Sequence, residues 1–256
     1  MLYQGVLTKM ETEFSTPIQY FLVLENDILN MNQLLNKTLT LFFIKYQCLN
    51  CSIEAPIFRQ GFCKSCFFEL PQAADWIMRP ELSKAHLNIE DRDLDYEKRV
   101  QLQPHIVYLA NSSNVKVGVT RKTQVPTRWI DQGAKEALEI LEVPNRYLAG
   151  LTEVALKKYV NDKTNWREML KGTAVDESLE DWRQRLSVHI PEETKSYFLA
   201  NQKPLGIQFP VNQHPEKPQS LKLSKTPVYS GVLKGIKGQY LIFEDNIVFN
   251  IRSNEG

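Results

Sequence analysis

The chain has 256 residues, 43% of them hydrophobic and 24% charged, and its 31 basic and 30 acidic side chains leave a net charge of +1. That composition excludes a wholly disordered chain, and so even a balance gives no whole-chain attraction to nucleic acid or to a membrane surface. The length allows one large domain or two modest ones, burying roughly 70–75% of the extended chain's surface.

The N-terminus reaches Glu11 and Glu13 without the basic region, apolar stretch and small-residue cleavage site of a signal peptide. The most apolar early run, residues 39–44, is too short to span a bilayer. A cytoplasmic protein with no membrane partner is the expectation. Residues 1–46 read as β-rich, with strands at 3–10, 18–24 and 38–46 and a short connection at 32–36. Tyr3-Gln-Gly-Val-Leu is echoed by Tyr229-Ser-Gly-Val-Leu, and Gln19-Tyr-Phe-Leu-Val-Leu by Gln239-Tyr-Leu-Ile-Phe. The echo fits equivalent strands of two sheets, strands of one sheet closed by the chain ends, or chance similarity between hairpins.

All four cysteines fall in one cluster, Cys48-Leu-Asn-Cys51 and Cys63-Lys-Ser-Cys66, two hooks separated by eleven residues. Two such hooks brought together by a hairpin supply four thiolates for a tetrahedral Zn²⁺. A dithiol redox pair needs only one hook, so a structural zinc is expected, with no open position for catalysis. Lys45, Arg59 and Lys64 lie near enough in sequence to touch phosphate. Residues 75–100 carry seven acidic against five basic side chains and little periodicity. A short helix at 73–78, stopped by Pro80, is their one expected element, and the rest should wrap the surface.

Residues 101–171 concentrate polar groups of catalytic type on regular elements, with eleven Lys or Arg against seven Asp or Glu between Pro104 and Lys171. His105-Ile-Val-Tyr-Leu-Ala110 reads as a buried strand with Tyr108 near a sheet edge, and residues 111–114 as a turn. Val115-Lys-Val-Gly-Val119 alternates, so Lys116 and Gly118 share a face. That face is either a shallow positive strip open to phosphate or an ordinary solvated surface. Pro126 suits the first turn of a short helix, with Trp129 and Ile130 anchoring the side away from Arg128. Arg128 is then a phosphate ligand beside the Lys116 strip, or the ion-pair partner of Asp131. Asn145 is placed to cap a helix over 146–160. There Glu153 lies beside the apolar flank, as a metal ligand or as the i,i+4 partner of Lys157. A segment starting at Asp162 and running to Leu170 closes the unit.

Beyond it, residues 176–186 read as a helix with Leu179, Trp182 and Leu186 on one side. Four prolines, at 204, 210, 215 and 218, break up the region that follows. Residues 227–251 read as β hairpins, with Gly235 and Gly238 bracketing one turn and Glu244-Asp-Asn246 forming another.

The set Ile106-Val-Tyr108, Lys116-Val-Gly118, Arg128 and Glu153 resembles the GIY-YIG nuclease superfamily over about sixty residues. Taken whole, the chain is similar to a bacterial family of uncharacterised proteins, DUF2797. That similarity runs from the cysteine hooks through Arg128-Trp-Ile-Asp-Gln-Gly-Ala134, Pro144-Asn-Arg-Tyr-Leu-Ala-Gly150 and Asp162-Lys-Thr-Asn-Trp-Arg167 to Gly235-Ile-Lys-Gly-Gln-Tyr240. The superfamily resemblance implies a small antiparallel sheet flanked by helices and cleavage of DNA or its relatives. It also implies two tyrosines, an arginine and a glutamate binding one divalent metal. Lys116 stands where the second tyrosine is usual, and Gln132 where many members carry a histidine or tyrosine; the two departures together point to another proton acceptor or to no cleavage.

The resulting expectation is an α+β protein. A β-rich module (1–46), a four-cysteine zinc knuckle (47–70) and a surface linker (71–100) precede a GIY-YIG-like core (101–171). A helix and Pro-rich irregular segment (172–225) then leads to C-terminal hairpins (226–256) packing with the N-terminal module. As an enzyme it would hydrolyse phosphodiesters of DNA or RNA. Glu153 would hold Mg²⁺ or Mn²⁺, Arg128 would neutralise developing charge, and Tyr108 or Lys116 would orient or deprotonate water. As a non-catalytic nucleic-acid-binding protein it would use Lys116, Arg121, Lys122, Arg128 and Lys135. A structural or protein-interaction scaffold is the third alternative.

Overall fold

A computed structural model describes residues 1–161, 163–173 and 176–256. Within them the chain forms β1 (Glu11–Glu13), β2 (Gln19–Leu24), β3 (Asp27–Asn30) and β4 (Thr38–Phe42), then α1 (Lys64–Glu69), α2 (Asp75–Met78) and α3 (Leu94–Gln101). The central run is β5 (His105–Asn111), β6 (Val115–Arg121), α4 (Thr127–Asp131), β7 (Glu136–Val143) and α5 (Arg146–Leu156). It continues through α6 (Trp166–Lys171), α7 (Leu179–Ser187), β8 (Leu205–Gly206) and β9 (Gln219–Ser220) to β10 (Val228–Lys237), β11 (Tyr240–Phe243) and β12 (Ile247–Asn250). The sheets are β1-β2-β3, β4-β10-β11-β12-β9 and β6-β5-β7-β8, antiparallel except where β12 meets β9. The fold is mixed α+β.

The expected strand at 3–10 is absent, and backbone accounting explains why. Leu7 O accepts from Gly256 N (2.9 Å), and Lys9 N donates to the Glu255 carboxylate (2.8 Å). Met10 N donates to Gln239 Oε1 (2.8 Å), and Gln239 Nε2 returns a bond to Met10 O (3.0 Å). Polar groups already satisfied by the far end of the chain have no need of a ladder.

The internal echo is structural where the hairpins match. Both β2–β3 and β11–β12 are tight antiparallel pairs, and each ends in an asparagine whose side chain accepts a main-chain N–H of the 3-10 turn that follows. Asn30 Oδ1 accepts from Asn32 N, and Asn250 Oδ1 from Ser253 N, both at 3.0 Å. They lie in separate sheets, but Met10, Ile18 and Tyr20 share one core with Leu233, Leu241 and Phe243. Gly238 makes the β10–β11 turn at φ +59°, whereas Gly235 sits at a bulge inside β10, packed on Val211, rather than in a turn.

Strand β5 is buried along its whole length, as its unbroken apolar run requires. Ile106, Tyr108 and Ala110 face the shared β core together with Trp129 of α4. Val107 and Leu109 face α5 and α7. Residues 71–100 are more than a surface wrap. Asp93 caps α3 by accepting from Tyr96 N (2.9 Å), and the buried Glu97 takes N–H bonds from residues 91, 92 and 93. Trp76, Ala74 and Val100 make a small core of their own. The turn Pro80–Leu82 lies so close to α5 that only a glycine fits at Gly150.

Candidate active site and metal centre

Tyr108 pairs with Gly118 across β5–β6, and its ring lies over that glycine; a Cβ there would stand 2.7 Å from Tyr108 Cζ and Oη. The missing side chain lets the phenol cross to β6, the outer strand of its sheet. There the hydroxyl donates to Gln132 Oε1 at 3.0 Å, and Trp129 sits 5.8 Å from the ring. Burial raises the Tyr108 pKa; Arg128 opposes that rise, and Glu153 adds to it. A guanidinium and a carboxylate therefore act on one hydroxyl, although α4 and α5 pack on opposite faces of the sheet. The Tyr108 hydroxyl, over Gly118 rather than over the lysine, is the point within electrostatic reach of both. Arg128 and Glu153 are both half-buried.

The face read as either an open positive strip or an ordinary solvated surface is closed. Lys116 is 5% exposed, and its Nζ donates to Thr164 Oγ1 at 2.6 Å. That hydroxyl also bonds Ser112 Oγ (2.9 Å), while residue 161 runs parallel beside β6, its carbonyl accepting from Val117 N (2.8 Å). A segment returning from α5 has covered what alternation alone leaves open. Asp162 lies outside the described residues.

The alternative partner for Arg128, Asp131, is engaged elsewhere. Its carboxylate takes Lys9 Nζ (3.0 Å) and Gln239 Nε2 (2.8 Å), with Arg252 at 3.9 Å. It ties both chain ends to α4. Of the other expected phosphate contacts, Lys122 pairs with Glu142 (2.8 Å) and Lys135 with Asp176 (3.6 Å), while Arg121 is half-buried. Asn145 caps α5 as expected, accepting from Leu148 N at 3.0 Å. Sequence reasoning passed over Arg146 as a charge in the site and over Gln132 as the acceptor for Tyr108. For Arg146 the signal was position, next to the capping Asn145; for Gln132 it was the superfamily resemblance, which puts a histidine or tyrosine at that place.

The four cysteine sulfurs lie within 4.8 Å of one another. A tetrahedron with ligands at about 2.3 Å has edges of about 3.8 Å, and the Cys51 and Cys63 sulfurs are 3.8 Å apart. Cys63 N donates to Cys48 Sγ and Asn50 Nδ2 to Cys66 Sγ, each at 3.3 Å, the outer-shell bonds that orient thiolate ligands. Burial works against the Cys48 thiolate, yet main-chain N–H groups of Cys51, Cys63 and Asn50 draw its pKa down to about 6. Cys48, Cys51, Cys63 and Cys66 thus form a cluster able to hold a metal ion such as zinc.

The sequence profile of a family described as "Protein of unknown function (DUF2797)" matches residues 36–256, from just before β4 through the cysteine cluster and both helical faces to the C-terminus. The chain belongs to the DUF2797 family. No curated protein and no solved structure matches it. In this DUF2797 protein no described helix is long and apolar enough to cross a membrane.

Proposed function

We propose that this DUF2797 protein hydrolyses phosphodiester bonds in nucleic acid, as a divergent GIY-YIG-like nuclease, with Glu153 holding a divalent metal. The observation that carries the reading is that the Tyr108 ring lies over Gly118 of the outer strand of a small antiparallel sheet, its hydroxyl held by Gln132 and within electrostatic reach of Arg128 and Glu153. Further support comes from element order: β5 and β6 pair as a hairpin, α4 follows β6, and α5 follows β7.

Glu153 offers one carboxylate, which suits Mg²⁺ or Mn²⁺ held largely by water and substrate phosphate oxygens. When bound, such an ion supplies charge neutralisation and an activated water. Arg128 presents a planar fork of donors to the phosphoryl oxygens. Tyr108, its pKa raised by burial, stays protonated, so it orients by hydrogen bonding and does not take a proton. Gln132 fixes that hydroxyl, and Lys116 acts through Thr164.

One observation favours a second reading, binding without cleavage. Tyr108 and Lys116, the two groups expected to handle a proton, are both buried with their polar atoms bonded inside the protein. The deciding experiment offers single-stranded, duplex and branched substrates with Mn²⁺ to the wild type and to Glu153→Ala. Hydrolysis predicts cleavage lost in the variant with substrate binding retained. Cleavage that Glu153→Ala leaves unchanged removes the mechanism, and salt-sensitive binding without any cleavage leaves the second reading.

A further inference from the structure

The hairpin before Cys63 and helix α1 after it gather three phenylalanines, Phe58, Phe67 and Phe68. Each ring meets the other two, with centroids 5.2 Å (Phe58–Phe67), 5.6 Å (Phe58–Phe68) and 5.4 Å (Phe67–Phe68) apart. The cluster is not a core. Phe58 is 43% and Phe68 55% exposed, and among the described residues none of the three joins the cores of the sheets or of Trp76. Ring-on-ring packing accounts for how they hold one another, and leaves open why two of them face water.

Backbone bonds fix the rings on two anchored arms. Phe58 N donates to Phe62 O (2.8 Å) and Phe62 N to Arg59 O (2.9 Å), closing a hairpin whose turn takes positive φ at Gln60 and Gly61. Phe67 N donates to Cys63 O (2.9 Å) in the first turn of α1. Arg92 Nη1 then holds that helix through Phe67 O (2.9 Å) and Leu70 O (2.7 Å). Rings mounted this way lose little further freedom when a ligand lies on them.

The rim of the cluster is cationic. The Arg59 guanidinium carbon sits 5.6 Å from the Phe58 centroid and 6.0 Å from that of Phe67. A guanidinium laid over a ring keeps its edge donors free for an anion. Lys64 shares a face of α1 with Phe67 and Phe68 through i,i+3 and i,i+4 spacing, while Glu69 turns off that face. Among the described residues neither Arg59 nor Lys64 makes an ion pair, and Glu54 is taken by Lys45. An apolar protein surface would cover the rings but strand both cations at its edge. A nucleic-acid strand supplies flat base faces for the rings and phosphates for the cations, and in a duplex those faces are already stacked inside.

We propose that Phe58, Phe67 and Phe68, with Arg59 and Lys64 at their rim, form a stacking platform for unpaired bases of a nucleic-acid strand. This rests on the nucleic-acid reading above and narrows the substrate to one with a single-stranded part. The test measures binding of the full chain to an oligothymidylate of about ten nucleotides, to its duplex with oligoadenylate, and to an abasic strand of equal charge. The wild type should bind the oligothymidylate roughly tenfold more tightly than either other probe. Phe68→Leu keeps an apolar side chain and loses the ring, so oligothymidylate binding should weaken about tenfold while abasic binding holds, and Phe68→Tyr should match the wild type. Arg59→Gln should flatten the salt dependence of binding to both single strands. Unchanged melting temperature and metal content certify each variant as folded, and the wild-type comparison of abasic strand with oligothymidylate needs no variant. Equal wild-type affinity for those two strands, or wild-type binding by Phe68→Leu, overturns the platform. So does self-association that Phe68→Leu abolishes with no oligonucleotide bound, which assigns the rings to a protein contact. If Glu153→Ala abolishes cleavage while Phe68→Leu binds and cuts like the wild type, the platform fails and the hydrolytic reading stands. If nothing is cut but ring-dependent binding of the single strand remains, the platform stands and the hydrolytic reading fails.

Discussion

Replacing Gly150 by alanine sets two effects of opposite sign against each other. Gly150 lies in the middle of α5, on the face shared by Arg146 and Glu153. In a helix interior, Gly→Ala alone stabilises by about 1 kcal/mol. Here the new Cβ would stand 2.2 Å from Glu81 N, 2.4 Å from Pro80 C and 2.8 Å from Glu81 Cα. All three atoms are backbone, so no rotamer relieves the collision, and helix and turn must part by about 1 Å to reach ordinary contact. Overpacking of this kind costs about 1–3 kcal/mol, and backbone meeting backbone belongs at the upper end. The net expectation is a loss of about 1–2 kcal/mol, read as a lower urea midpoint at unchanged slope. The same displacement would stretch the Arg146 bonds to Trp76 and Ile77. A Gly150→Ala protein about 1 kcal/mol more stable than the wild type, as propensity alone dictates, would refute the close docking of residues 71–100 on α5.

Asp131→Asn should remove ion pairs to Lys9 and Arg252 and cost about 1–3 kcal/mol, less than a fully enclosed pair because Lys9 is 40% exposed. Hydrogen exchange should speed up at residues 7–10 and 252–256 in that variant, and unchanged exchange would detach Asp131 from both chain ends. Stripping metal with a chelator, or Cys63→Ser, should abolish an equivalent of bound zinc measured by elemental analysis. It should also expose the amides of Leu49 and Gly256, which bond within and beside the knuckle; a chain that copurifies with no metal contradicts the site. His105 has a folded-state pKa near 4, below its ordinary 6.5. The unfolded chain therefore binds the extra proton between those values, and stability falls as pH drops from about 6.5 towards 4, by up to about 3 kcal/mol. Urea unfolding at neutral and mildly acid pH should show a flatter pH dependence for His105→Gln, and identical slopes would count against the buried neutral imidazole.

Local chemistry alone determined several features. Two CxxC hooks specify a four-sulfur cluster wherever the chain places them, because their spacing carries the geometry. The cap at Asn145, the strand at 105–110 and the hairpin to Val115 follow from side-chain chemistry within a few residues. Family membership was likewise legible, since it rests on runs such as Arg128-Trp-Ile-Asp-Gln-Gly-Ala134. Strand β7 was not legible: Glu136, Glu139 and Glu142 repeat at a helix-like interval among good helix formers. A bulge against β5 between Val107 and Tyr108 absorbs that spacing, and β5's demand for a second partner overrides propensity. Helix α3 is capped by Asp93, but the turn that leads into it is held by a carboxylate, Glu97, sunk in the fold.

The site divides along the same line. Sequence named Tyr108, Arg128 and Glu153. Only tertiary structure decided that Asp131 is taken by the chain ends, that Lys116 is covered, and that Arg146 joins the charges around Glu153. Each outcome turns on which distant segment arrives beside a residue, and such meetings between residues far apart in the chain leave no periodic trace in a single sequence.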